Sequence, residues 1–391
     1  MPVSISARFS ALRPARAGAP PLGAGQHVPH AASPTCPAAS YPVGMLIPAE
    51  VRAVLASAAG PSDVFDRVVP VSLPMRTRFR GLTVRETCLV HGPAGWAEFA
   101  PFVEYAAPEA AHWLAAAVES AVLGFPAPLR GAVPVNATIP AVPAERVPDL
   151  AARFEGATAV KVKIAEHGMA SLEEDLARVA AVRRALPEAA LRCDANAAYS
   201  PAEARTALAA LAGSGPLQYV EQPVAAVEEL AELRAWVAAE GLPVPLAADE
   251  SIRKAEDPLR VAALGAADVI VVKVQPLGGI RAAARIVEEA GLPAVVSSAL
   301  ESSVGLAAGA ALAASLPASA LPAVPAAGLG TAALFAADVC DPPLLPAGGA
   351  LPVGRAAPDE ALLRAHAASP ERVRFWTERL GACWDVLARQ L

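Results

Sequence analysis

The chain has 391 residues, 54% of them hydrophobic, which is enough to bury the core of a large α/β domain and of a smaller one beside it. Its net charge of -6 offers no basic face to nucleic acid and is typical of a protein that handles small molecules. The five cysteines form neither a zinc-binding nor a disulfide pattern, so we expect a reducing, cytoplasmic location.

The N-terminal segment differs in composition from the rest of the chain. Residues 1–49 contain no Asp or Glu and are rich in Pro, Ala and Gly, a composition that cannot build a core. We therefore predict a disordered extension over residues 1–60. Its arginines are compatible with a transit peptide, but we favour a start placed too far upstream, with Met45 as the working initiator.

A small α+β module is predicted over residues 61–130. Short apolar runs alternate with turn residues from Val68 to Phe102, as in an antiparallel sheet, and residues 108–123 have helical spacing. We expect this module to cover a neighbouring site, with Arg78 or Arg80 near the substrate.

Strand-like and helix-like runs alternate seven times over residues 131–345. Strands of Val, Ile, Leu and Ala that are separated by amphipathic helices indicate a parallel sheet covered on both faces, and seven or eight units favour a closed barrel. The long uncharged stretch 305–335 is broken by prolines and predicts a buried helix followed by a loop, not a membrane span. In the remaining segment, 346–391, a final amphipathic helix should pack back on the first module through Phe375, Trp376 and Trp384.

Lysines stand in two of the predicted strands. Lys161 and Lys163 are two residues apart in AVKVKIA, so both side chains project from one face. An edge-strand pair that blocks aggregation is the alternative, but strands of an α/β series are covered on both sides. Lys273 lies in VIVVKVQP, where an unpaired ammonium would be costly, and this favours a functional role.

Carboxylates end the three strands that lie between these lysines in the chain. They are Asp194 in RCDAN, Glu221 in YVEQP and Asp249 in AADES, and Asn196 shares a face with the first of them. Each has an ordinary alternative as a turn, loop or cap residue. Together, at the ends of successive barrel strands, they bring three oxygen ligands to one place, which suits Mg²⁺.

In these motifs the sequence resembles the enolase superfamily, in particular the actinobacterial o-succinylbenzoate synthases. The resemblance rests on KVK, DAN, EQP, DES and VVKVQPLGG, and on RFRG, GWAEFAPFVEY, VNATIPAV and SSALESSVGLAAGAAL, between about residues 68 and 330. It implies an enolase-like modified TIM barrel, (β/α)7β, with an α+β capping domain formed by the N-terminal module and the C-terminal tail.

The resemblance also implies residue roles. Asp194, Glu221 and Asp249 would bind Mg²⁺, with Mn²⁺ as a substitute; Lys163 would be the base, Lys161 would assist electrostatically, and Lys273 would stand on the opposite side of the substrate. Further substrate-binding residues implied by the resemblance are Asn196, Gly279, Ser297, Ser298 and Arg80.

The reaction implied is the Mg²⁺-dependent dehydration of 2-succinyl-6-hydroxy-2,4-cyclohexadiene-1-carboxylate to o-succinylbenzoate in menaquinone synthesis. A lysine takes the α-proton of the carboxylate, and a metal-stabilised enediolate follows. The same residues would serve an N-acylamino acid racemase, a dipeptide epimerase or a cycloisomerase, since fold and site do not separate these activities. A non-catalytic metal-binding barrel is the remaining alternative. We expect a small carboxylate substrate and neither a nucleic-acid nor a membrane partner, and the oligomeric state stays open.

Overall fold

The computed structural model describes residues 47–79, 81–252, 257–317 and 325–391, all within the compact unit Tyr41–Leu391. The prediction that Met45 is the initiator and the predicted role of Arg80 fall outside these ranges. So does most of the predicted N-terminal extension.

The first helix, α1 (Ala49–Ser57), lies inside the predicted extension. Its Val51 and Leu55 are buried in the apolar cluster of the capping module. The predicted boundary at residue 60 is therefore wrong, because these two side chains, spaced four residues apart, form an apolar face that the composition of the whole segment obscured.

An antiparallel sheet of three strands forms the capping module, as predicted. Its strands are β1 (Arg67–Phe79), β2 (Leu82–Gly92) and β3 (Gly95–Phe99), in the order β1–β2–β3. Helix α2 (Ala107–Val118) follows and continues into a π-helical turn, Glu119–Leu123. The α+β composition of the module agrees with the sequence prediction.

Seven parallel strands in sequential order make up the barrel. The first strand-like run of residues 131–345, VPVNATIPA, is divided in two, because β4 (Ala132–Pro134) pairs with the late strand β12 (Ala350–Pro352) before the chain enters the barrel. The barrel strands are β5 (Ala137–Ile139), β6 (Ala159–Lys163), β7 (Ala190–Asp194), β8 (Tyr219–Glu221), β9 (Leu246–Ala248), β10 (Val269–Val272) and β11 (Ala294–Val296).

Helices follow the barrel strands and cover the outside of the sheet. They are α3 (Val147–Ala151), α4 (Leu172–Ala185), α5 (Pro201–Gly213), α6 (Val227–Ala239), α7 (Asp257–Ala263), α8 (Ile280–Ala290) and α9 (Ser303–Ser315). All but the final residue of α9 are buried, so the prediction of a buried helix is confirmed there. In the described part of the chain no helix is both long and apolar enough to cross a membrane.

The eighth position of the barrel is filled by a short bridge. Gly328 pairs in parallel with Ser297 beyond β11, and Ala327 pairs in parallel with Val135 ahead of β5. The amide of Gly328 donates to Val296 O at 2.8 Å, and the amide of Asn136 donates to Ala327 O at 2.9 Å. The ring of strands is thereby closed, in agreement with the predicted (β/α)7β barrel.

The C-terminal tail returns to the capping sheet through α10 (Glu360–Ala365) and α11 (Pro370–Ala388). Trp376 is fully buried, meets the ring of Phe99 edge-on at 5.9 Å, and donates from Nε1 to Glu86 at 3.1 Å. Trp384 is buried in the same cluster, and Phe375 packs against it half-buried. The tail thus belongs to the core of the capping module.

Candidate active site

Strand β6 carries two lysines to the carboxyl end of the barrel. Lys161 lies 3.0 Å from Glu221 Oε1 and 2.9 Å from Asp194 Oδ2. Lys163, two residues on, donates to Asp194 Oδ2 at 2.5 Å and to Asn196 Oδ1 at 2.6 Å. The period of two along the strand places both ammonium groups on the inside of the barrel, as the sequence predicted.

Parallel register brings the carboxylates to the same level. Lys163 pairs with Asp194 across β6 and β7, and Asp194 pairs with Glu221 across β7 and β8. Asp249 directly follows β9, and its two oxygens accept from Lys273 Nζ at 2.7 and 2.5 Å. The three carboxylates and three lysines therefore lie together at the mouth of the barrel.

The lysines of β6 and Lys273 lie on opposite sides of this cluster. Lys163 ends β6 and Lys273 directly follows β10, and these strands are four positions apart in a ring of eight. The three carboxylate-bearing strands, β7 to β9, span the half-ring between them. A ligand at the centre of the mouth would have an ammonium group on each side.

Burial and charge shift the pKa values in this cluster in different directions. Burial, then the neighbouring Asp194, raises the pKa of Glu221 to about 8. Burial also acts to raise the pKa of Asp194, but the ammonium groups of Lys161 and Lys163 outweigh it and hold that pKa below its usual range. Burial opposes the charged form of Lys161, yet Asp194 and Glu221 hold its pKa well above the ordinary value. Lys161 is thus maintained as a fixed positive charge.

A cavity lies over the cluster, between the barrel mouth and the capping module. Five of the six charged groups line it, and Glu221 lies beneath Lys161. The capping module contributes an aromatic side of the cavity, made of Phe102, Tyr105 and Trp113. The expectation that the capping module would cover a neighbouring site agrees with this geometry.

Two family models cover most of the described chain. Residues 146–358 match the model described as enolase C-terminal domain-like, and residues 70–121 match the one described as enolase N-terminal domain-like. The o-succinylbenzoate synthase of Mycobacterium ulcerans is 51% identical over 329 residues, which are 84% of this chain and 96% of the relative. This chain belongs to the o-succinylbenzoate synthase family of the enolase superfamily.

Other relatives of the enolase superfamily agree with this assignment. The o-succinylbenzoate synthase of Mycolicibacterium smegmatis is 53% identical over 325 residues, 83% of this chain and 97% of the relative. A crystal structure of 2-chloromuconate cycloisomerase from Rhodococcus opacus superimposes with a TM-score of 0.63 and 24% identity, covering 77% of this chain and 98% of the other. At that identity the likeness shows the fold alone.

The superfamily's donor chemistry fits the residues of this cluster. Asp194, Glu221 and Asp249 supply only oxygen, the ligand that Mg²⁺ prefers, and they are buried side by side. Within the described ranges no three carboxylate, imidazole or thiol groups form a metal cage as they stand. In this arrangement the carboxylates are paired with lysines: Lys161 lies within 3.0 Å of both Asp194 and Glu221, and Lys273 pairs with Asp249. The ligand set stays a prediction.

The structure brings most, but not all, of the other predicted substrate-binding residues to the cavity. Asn196, Ser297 and Ser298 line it. Gly279 is not among the described residues that line it. It directly precedes α8 and faces Glu119 of the capping module, which a Cβ at this position would meet. Arg80 and the side chain of Arg78 lie outside the description.

Several cavity residues were missed from the sequence. The barrel adds Thr138, Pro276 and Thr331, and Thr331 lies 2.8 Å from Ser298, hydroxyl to hydroxyl. The capping module adds Glu109 and Trp113 from α2. Thr138 lies within β5, whereas Pro276 and Thr331 lie in the connections that follow strand-paired residues, so only their place in the barrel could have indicated them. The helix residues depend on how the two modules dock.

Proposed function

We propose that this chain is an o-succinylbenzoate synthase, a lyase that removes water from 2-succinyl-6-hydroxy-2,4-cyclohexadiene-1-carboxylate. The observation that carries the proposal is the pair of lysine positions, Lys163 and Lys273, on opposite sides of one cavity with three carboxylates between them. Relatives at 51% and 53% identity along almost their whole length support it. The product would feed menaquinone synthesis.

In this proposal Asp194, Glu221 and Asp249 would hold Mg²⁺. When bound, the ion would supply positive charge to the substrate carboxylate as its α-proton leaves. The buried position of the three side chains, with exposures of 0 to 3%, keeps competing water away from that interaction.

Lys163 is the proposed acid/base group. It stands at the cavity, fixed by Asp194 and Asn196, and could take the α-proton and return it to the departing hydroxide on the same face. Lys161 lies two residues earlier in β6, deeper in the barrel, and contributes a fixed positive charge. Lys273, across the cavity, would act mainly as a second fixed charge beside the anionic intermediate.

The cavity wall is suited to the rest of such a substrate. Phe102, Tyr105 and Trp113 provide an apolar side against the cyclohexadiene ring and exclude water from it. Ser297, Ser298 and Thr331 supply hydroxyl groups on the barrel side. Arg80 is proposed, from the sequence alone, to meet the distal succinyl carboxylate.

The decisive experiment is an assay of the purified chain with the cyclohexadiene substrate and Mg²⁺. Formation of o-succinylbenzoate would support the proposal. A chain that binds Mg²⁺ but neither forms product nor exchanges a substrate α-proton in D₂O would be a non-catalytic barrel, and the proposal would be withdrawn.

Racemisation of N-succinyl amino acids is the second candidate. It is favoured by the same two-sided arrangement, since a racemase needs a working base on both faces of the α-carbon. Exchange of the α-proton from both enantiomers in D₂O, without dehydration of the cyclohexadiene, would favour it over the synthase.

A cytoplasmic location is proposed with the function. Cys88, Cys193, Cys340 and Cys383, the cysteines within the described ranges, are free and buried thiols, which suits a reducing compartment. Cys36 lies outside those ranges.

A further inference from the structure

One turn of the cavity wall has an unusual backbone. Leu300 lies in the loop between β11 and α9, lines the cavity, and has φ of +66°, in the left-handed region that a branched side chain rarely adopts. Such a conformation is strained and persists only where surrounding contacts enforce it. Those contacts come from the capping module.

Arg85 of β2 supplies the first of these contacts. Its side chain is 2% exposed, and Nε donates to Leu300 O at 3.1 Å. The other guanidinium nitrogens donate to the carbonyls of Ala100 and Glu86, and the guanidinium carbon lies 4.3 Å from the ring centre of Phe102. One buried cation therefore touches two separate parts of the cavity wall, Leu300 and Phe102.

Glu98 of β3 holds the other end of the same loop. Its carboxylate accepts from Ser302 Oγ at 2.5 Å and from the amide of Gly305 at 2.9 Å, at the start of α9. Thr87 of β2 donates to the same carboxylate at 2.8 Å. Within the loop, Glu301 accepts from the amide of Ala299 at 2.6 Å. The capping sheet thus holds the turn at Leu300 itself and at the start of α9.

We infer that Arg85 is a positioning residue for the reaction, which sets the shape of the substrate cavity by fixing Leu300 and Phe102 relative to each other. It touches no reacting atom. Its guanidinium contacts Leu300 of the barrel loop and Phe102 of the capping module, where these two parts of the cavity wall meet. The capping module thereby aligns the barrel loop with the aromatic side of the cavity. The inference rests on the proposed function.

The test compares Arg85→Lys with a matched arginine elsewhere. Lys retains the charge but cannot reproduce the planar fork that reaches several carbonyls at once. Arg355 is the control: it also donates to a backbone carbonyl of the capping sheet, Trp96 O at 2.7 Å, and lies 4.4 Å from the ring centre of Phe125, away from the cavity. For each variant, Tm, kcat, KM and the Kd of o-succinylbenzoate would be measured with Mg²⁺.

We expect Arg85→Lys to lower kcat/KM about ten- to hundredfold, with a matching rise in KM and in the product Kd, because a misplacement of the cavity wall by about 1 Å can cost about 10²-fold. Arg355→Met should lower Tm while kcat/KM stays within about twofold of the parent. The inference is overturned if Arg85→Lys also stays within that range, or if the control loses kcat/KM to the same degree.

Arg85 is buried, so its variants could fail to fold. In that case Ser302→Ala takes the same measurements, since it removes one hydroxyl from the far end of the held loop and leaves Arg85 in place. A rise in KM beyond that of Arg355→Met supports the inference, and an unchanged KM overturns it. If the unmodified protein does not dehydrate the cyclohexadiene, the proposed function has failed, and not the inference about Arg85. The same variants are then compared by their KM and Kd for the N-succinyl amino acid that the protein does turn over.

Discussion

Replacing Lys163 with Ala tests the proposed division of labour among the lysines. Loss of the general acid/base group should lower kcat by about 10² to 10⁴, which is about 3 to 5 kcal/mol in the barrier. The fold should survive, because Asp194 loses its contact at 2.5 Å but keeps Lys161 at 2.9 Å. Loss of the charge-assisted bonds should therefore cost about 1–3 kcal/mol of stability, and not the larger cost of a buried, unpaired charge.

The assay measures three quantities on the same preparation: dehydration of the cyclohexadiene, exchange of its α-proton in D₂O, and Tm with and without Mg²⁺. We expect Lys163→Ala to lose the first two and to keep a Tm that rises with Mg²⁺. A retained response to Mg²⁺ would show that the carboxylates are still arranged to bind the ion, so that the loss of rate belongs to proton transfer.

Lys273→Arg is the matched control on the opposite side of the cavity. Arginine keeps the charge and can still pair with Asp249, but it does not readily give or take a proton at neutral pH. It should retain measurable dehydration and abolish any racemisation of N-succinyl amino acids. If Lys273→Arg removed dehydration as completely as Lys163→Ala does, the one-sided mechanism would be wrong.

Three other predictions can be checked directly. EDTA should remove activity and Mg²⁺ should restore it, whereas full turnover by metal-free protein would refute the metal site. Gly279→Ala should destabilise the fold by about 2 kcal/mol or more, because its φ is +133° and a Cβ would meet Glu119; an unchanged Tm would contradict this. A chain shortened to begin at Met45 retains α1 and should keep its rate and Tm, whereas further removal of α1, with its buried Val51 and Leu55, should lower Tm.

The barrel and its charged rim could be predicted because they depend on short-range periodicity. Lys161 and Lys163 share a face wherever a strand forms, and parallel strands of one barrel necessarily end at the same rim. Asp194, Glu221 and Asp249 therefore meet once seven strand–helix units are recognised. The resemblance to a known family added their roles, which geometry alone does not assign.

Contacts between the two modules could not be predicted in the same way. The GG of LGG indicates a turn, but only docking shows that Gly279 makes room for Glu119, which in turn accepts from the amide of Arg281 at 3.1 Å. From the sequence alone, Arg85 resembles an ordinary polar residue on the solvent-exposed face of a strand. Its burial follows from a partner, Leu300, that lies 215 residues further along the chain.

The location of these unpredicted contacts bears on how one barrel serves several reactions. A muconate-type cycloisomerase with a TM-score of 0.63 has the same fold, so the barrel by itself does not select a substrate. In this chain the three lysines and three carboxylates of the cluster come from barrel strands and the loops that follow them, whereas the aromatic side of the cavity and Glu109 come from the capping module. Arg85 connects the two. Substitutions in the capping module should therefore change KM and the choice of substrate, while substitutions of the rim should change kcat for every substrate alike.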